Sequence, residues 1–291
     1  MQRGPRRREG GAVNAARATV TSACVMAGTL LLLSAATSGA AGARPTVTRS
    51  YYLALGDSVP VWDGSHSYAH LLENHYLSSL PGLVLKDMAV SEATTTSMLD
   101  TGQYMSALAF LTKHAGHIAL ITIDNGGNDL LPCASATGID PTCLTNTLAT
   151  VNSNMTTMLD GLHAAAPSVP IIGMSYYDPF LGDWLAGGAT QGLALETLPV
   201  VASLNDELTT LYGGPSQTAD VSDLFKTTND TSLVESRWGK VPVDVARACT
   251  WLDITCHQGA PEGFGDDPNI RGQEKIASTF EHTIGRLHPP A

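Results

Sequence analysis

Gly56-Asp57-Ser58 stands directly after the apolar run 51–55, which sets a serine hydroxyl where a buried strand opens into a loop. A free hydroxyl is a poor nucleophile: it needs a base within hydrogen-bond reach and donors aimed at the oxyanion that forms on attack. Asn128 is a candidate donor, placed in Asp124-Asn125-Gly126-Gly127-Asn128-Asp129 at the end of the apolar run 118–123. Paired glycines permit a tight turn with positive φ, and a carboxamide NH₂ is a neutral donor that titration cannot remove. Alone, each stretch is more often a helix cap or a plain strand-to-helix turn. Together they are the parts of an acyl-transfer site.

The elements that must position them follow from periodicity. Apolar, β-branched runs at 51–55, 83–88, 118–123, 169–174 and 218–221 alternate with helical patterns at 68–79, 104–114, 144–165, 193–211 and 271–287. Such βα alternation predicts an α/β domain whose parallel sheet is covered on both faces. Ligands then bind beyond the carboxyl ends of the strands. Ser58, the Ser91-Glu92-Ala93-Thr94 loop and Gly126-Gly127-Asn128-Asp129 follow the first three strands, so all three converge on that edge.

Gly56-Asp57-Ser58, Val90-Ser91-Glu92-Ala93-Thr94-Thr95 and Gly127-Asn128-Asp129, in this order and spacing, resemble the first three blocks of the SGNH (GDSL-type) ester hydrolases. Tyr176-Tyr177-Asp178-Pro179-Phe180 and the loop from Cys249 to Cys256 look like the secreted actinobacterial branch of that superfamily. The resemblance implies a three-layer α/β/α sandwich with a central, mostly parallel five-stranded sheet, flavodoxin-like in form. It also implies Ser58 as nucleophile, with its own N–H, the Glu92 backbone N–H and the Asn128 side chain forming the oxyanion hole. The family places glycine where this chain has Glu92. Gly56, Asp57, Gly127 and Asp129 complete the matching motifs.

The fourth block departs from the family. It commonly reads Asp-x-x-His before Pro-Asn and the last helix, and here Pro268-Asn269 fix the register so that Asp267 takes the histidine position and Phe264 the position three earlier. Removing the base of a serine triad costs up to roughly 10⁶ in turnover, with about 10³ to 10⁴ over water left. Asp267 can serve as base if burial, aided by the like charge of Asp266, raises its pKa. His257, in the loop leading to this block, is the alternative base. His66, His70 and His75 read as residues of the first helix or its flank.

The first 43 residues carry five arginines, then an apolar stretch around Leu30-Leu31-Leu32-Leu33, then Ala41-Gly42-Ala43, the pattern of a secretory signal. Residues 44–291 are expected to form one secreted domain. Without the leader the net charge moves from −11 to −15, which argues against nucleic acid or a stable membrane anchor as target and for a neutral, small or cationic partner; the resemblance implies a small-molecule or lipid ester. Four of the five cysteines lie beyond the leader; their local spacing in an exported chain predicts Cys133–Cys143 and Cys249–Cys256 disulfides, whereas zinc asks for tighter spacing. No cofactor or metal is expected, and the chain reads as a monomer.

Trp62 and Trp184 follow the first and fourth strands, either as walls of an acyl pocket or as packing aromatics; Asp178 and Asp183 read as loop caps or substrate-edge contacts. No Gly-x-Ser-x-Gly elbow surrounds Ser58. Three readings remain: a serine ester hydrolase using a non-standard base, a degenerate binding protein on the same scaffold, and a polysaccharide O-deacetylase.

Overall fold

The structure, a computed structural model, describes residues 48–135, 138–254, 256 and 267–290. Five strands, β1 (Ser50–Gly56), β2 (Leu83–Asp87), β3 (Ile118–Asp124), β4 (Ile171–Met174) and β5 (Thr218–Ala219), form one parallel sheet in the order β2-β1-β3-β4-β5. All seven residues of β3 are buried, as expected of a central strand covered on both faces.

Among the described residues, seven α-helices of six or more residues accompany the sheet: α1 (Tyr68–Tyr76), α2 (Thr95–Asp100), α3 (Gln103–Lys113), α4 (Pro141–Ala165), α5 (Gly188–Tyr212), α6 (Val243–Trp251) and α7 (Ile270–Ile284). The step from β1 to β2 runs one way across the sheet, and the steps β2 to β3, β3 to β4 and β4 to β5 run the other way. Because parallel crossovers are right-handed, this reversal puts α1 on one face and α3, α4 and α5 on the other. Helix α7 returns to the first face and packs on α1, where Tyr68 and Phe280 stack at 4.6 Å. The loops after β1 and β3 therefore leave on opposite faces, and a crevice opens between them.

The predicted strands are present, three of them shorter than expected: β2 stops at Asp87, one residue before Met88. Val169 precedes β4, and Val221 opens a short helix (Val221–Phe225) because Asp220 caps it by accepting from the Asp223 N–H. Helices α2 and α6 and the hairpin Leu233–Ser236/Gly239–Pro242 are additions that the sequence pattern did not yield. Both disulfides are formed, with Cα separations of 5.5 Å for Cys133–Cys143 and 5.7 Å for Cys249–Cys256. Among the described residues no helix is long and apolar enough to cross a membrane. The leader, Phe264, Asp266 and His257 lie outside the described residues.

Helix α7 is seated by one side chain. Asn269 caps it through Oδ1, which accepts from the Arg271 and Gly272 N–H groups at 3.0 and 3.2 Å. Its Nδ2 donates to the Thr250 and Leu252 carbonyls at 3.1 and 3.0 Å, tying α7 to the end of α6. Asn269→Ala removes the cap and two interhelical bonds, and is expected to cost about 2 kcal/mol by urea unfolding with an unchanged denaturant slope. Asn269→Asp keeps the cap but lacks the amide donors, so its loss should be smaller.

Candidate active site

The serine turn is held from several sides. The Gly56 carbonyl accepts from the Val90 N–H at 3.1 Å and from Gln103 Nε2 at 2.9 Å. Asp57 Oδ1 accepts from the Val59 N–H at 3.1 Å, so its carboxylate spans Ser58, while Oδ2 accepts from the Tyr176 hydroxyl at 2.7 Å. The Val59 carbonyl accepts from Gln273 Nε2 of α7 at 2.9 Å, and Gln273 Oε1 accepts from the Tyr68 N–H at 2.8 Å. Ser58 itself is partly exposed, its carbonyl taking the Val61 and Trp62 N–H groups.

The Asn128 turn starts at Gly126, whose φ of 121° explains the glycine there. Asn128 Nδ2 donates to the Ala93 carbonyl at 3.1 Å, which leaves its second N–H for another acceptor. Asp129 accepts from the Thr95 N–H at 2.8 Å and from Thr95 Oγ1 at 2.7 Å, fastening the turn to the start of α2. Burial pushes the Asp129 carboxyl above the usual carboxylate range, against the pull of these bonds.

Glu92 occupies the third position of a turn closed by the Ala93 N–H on the Val90 carbonyl at 3.0 Å, with φ of 63°. A type II turn reserves that position for residues that tolerate positive φ, glycine first. The Glu92 side chain is exposed, so its carboxylate is spent on solvent.

Ser58 and Asn128, brought by different strands to the crevice, line one cavity. Its other walls are mostly apolar, Val59, Leu130, Ile139, Phe180, Val201 and Leu204 among them, with Asp57, Tyr176 and Thr197 as polar members. Trp62 and Trp184 are not part of this wall. Trp62 is 40% exposed and its Nε1 donates to Asp253 at 2.9 Å, and Trp184 is partly buried against the core. His70 Nδ1 meets Ser67 Oγ at 3.2 Å and His75 pairs with Glu281 at 3.3 Å, both on or beside α1. Among the described residues no group of three or more His, Cys, Asp or Glu side chains is arranged to hold a metal ion.

Asp267 is buried, and its carbonyl accepts from the Asp253 N–H at 2.8 Å beside the Leu252–Pro268 bridge. It is not among the residues lining the cavity. Cys256 is fixed by its disulfide and by its carbonyl, which accepts from Trp238 Nε1 at 2.9 Å.

Beneath the serine turn lies Asp124, fully buried at the end of β3. Burial, and then the nearby Asp57 and Asp87 charges, push its carboxyl well above the usual range. Sequence reasoning gave no role to Asp124, Tyr176, Asn205 or Gln273. Asn205 and Gln273 carried a legible signal, since each is a polar residue in the buried stripe of its helix.

Asp178 caps the 3₁₀ segment Pro179–Ala186 by accepting from the Phe180 N–H at 2.9 Å. Burial pushes this carboxyl up to about 7. A folded-state value above the unfolded one, about 3.9, means stability that is full below pH ~4 and is lost as pH rises to about 7. Asp178→Asn, which keeps the cap without the titration, should show less loss than wild type across that window in urea midpoints. At the Glu92 turn, Glu92→Gly should relieve the positive-φ cost and raise stability by up to about 1 kcal/mol.

The fold is shared with solved lipases. A lipase from a goat rumen metagenome superposes with a TM-score of 0.52 at 16% identity, covering 80% of this chain and 97% of that one. A putative GDSL-like lipase from Parabacteroides merdae gives 0.54 at 15%, covering 83% and 99%. At these identities the likeness is one of fold. No family model matches the sequence, and no curated protein matches it either.

Proposed function

We propose that this chain, which has the α/β/α fold of the SGNH (GDSL-type) hydrolases, is a secreted serine ester hydrolase of the carboxylesterase or lipase type. One observation carries the reading: Ser58 and Asn128, seventy positions apart, line the same apolar cavity at the point where strand order reverses. A hydroxyl and a neutral amide donor facing one small volume are what acyl transfer requires.

In this mechanism Ser58 Oγ attacks the ester carbonyl and gives its proton to a base. The carbonyl oxygen becomes an oxyanion held by the Ser58 N–H, the Glu92 N–H and the Asn128 carboxamide. Collapse expels the alcohol, which takes the proton, and leaves an acyl-serine. Water then attacks the acyl carbon and releases the acid. Asp267 or His257, ten positions apart in the chain, supplies the base.

The apolar walls suit an uncharged acyl group. The acidic surface disfavours polyanionic partners, and the leader implies export of residues 44–291 as one domain acting alone. A second reading, a binding protein that keeps the pocket without turnover, draws on the position of Asp267 outside the cavity lining.

A fluorophosphonate probe and nitrophenyl acetate separate the two. Wild type is expected to label at Ser58 and turn over, Ser58→Ala to do neither, and Asn128→Ala to lose about 10² to 10³ in kcat. Labelling and turnover seen only in Asp267→His would establish the binding-protein reading instead. Absence of both in every variant would remove the pocket assignment itself.

A further inference from the structure

We infer that Tyr176 is the positioning residue that sets the separation between the Ser58 turn and the Asn128 turn, an inference that rests on the reaction proposed above. Tyr176 follows β4, which is not a neighbour of β1: β3 lies between them. Its side chain reaches over the end of β3 to the loop after β1, where its hydroxyl donates to Asp57 Oδ2 at 2.7 Å. The other oxygen of that carboxylate accepts from the Val59 N–H, so the phenol is coupled to both residues flanking Ser58.

On the way the ring passes the Asn128 turn. A Cβ at Gly127 would stand 3.0 Å from Tyr176 Cε1 and 3.1 Å from Cδ1, closer than carbon atoms settle without displacement. The ring and the Gly127 backbone are therefore in contact, and glycine is the residue that permits it. One rigid side chain bears on the nucleophile's turn with its tip and on the donor's turn with its edge.

The rigidity has its own cause. Asn205 of α5 grips the Tyr176 main chain twice, accepting from its N–H at 2.6 Å and donating to its carbonyl at 2.8 Å. Tyr176 is 6% exposed, and burial with the Asp57 charge holds the phenol protonated as a donor. Helix α5 also supplies Val201 and Leu204 to the cavity wall, so the pocket and the spacer share one support.

The test is Tyr176→Phe, which keeps the ring against Gly127 and removes only the hydroxyl. With nitrophenyl acetate, kcat should fall about 10- to 100-fold while KM changes by less than about twofold, and fluorophosphonate labelling of Ser58 should slow in parallel. Gly127→Ala, which drives the ring from the other side, should give the same kcat-selective loss. Tyr104→Phe is the control: it deletes a tyrosine hydroxyl bonded to the Thr157 carbonyl at 3.1 Å, away from the cavity, and should leave kcat unchanged.

A Tyr176→Phe enzyme with wild-type kcat, a loss confined to KM, or an equal loss in Tyr104→Phe would overturn the inference while leaving the esterase reading intact. A wild type that neither labels nor turns over would overturn both.

Discussion

The serine turn depends on one close approach, that of the Gly56 backbone to the Asp124 carboxyl. Any Cβ at position 56 would overlap that group, and the φ of 153° at Gly56 is one that other residues rarely adopt. The chain can leave β1 at this height because the residue there has no side chain. Burial, and then the nearby Asp57 charge, oppose ionisation of Asp124 and push its carboxyl well above the usual range. From that fixed exit follow the direction of Asp57, the exposure of Ser58 and the bonds that Gly56 offers to the loop after β2 and to α3 through Gln103.

β1 and β3 were readable because they are buried along nearly their whole length and so appear as apolar runs. Where reading failed, local chemistry outweighed periodicity. Helix α2, Thr-Thr-Ser-Met-Leu-Asp, has too few apolar residues to show a 3.6-residue period, and it is set by a capping box in which Thr94 and Ser97 satisfy each other. Val221 has strand propensity but falls directly behind Asp220, whose side chain caps a helix.

The site divides along the same line. Ser58 and Asn128 were legible because each sits immediately after a strand, where order along the chain dictates position in space. Glu92 is intelligible only with its φ in hand: a charged residue at a place suited to glycine, tolerated because the backbone bears the strain and the carboxylate points to water. Asp267 was located by register alone, and register carries no information on where a buried side chain points. Tyr176 bore no sequence mark of its role, since its partners Asp57, Gly127 and Asn205 come from three distant segments.

The outward-facing carboxylate of Glu92 has a bearing on how a catalytic cycle would end. In the proposed reaction a neutral ester enters and an acid anion departs, so a carboxylate on the turn that is proposed to donate to the oxyanion is indifferent to arrival and repels what leaves. Discharge of product is favoured without any moving part, and the bias fades as added electrolyte shortens the reach of the field.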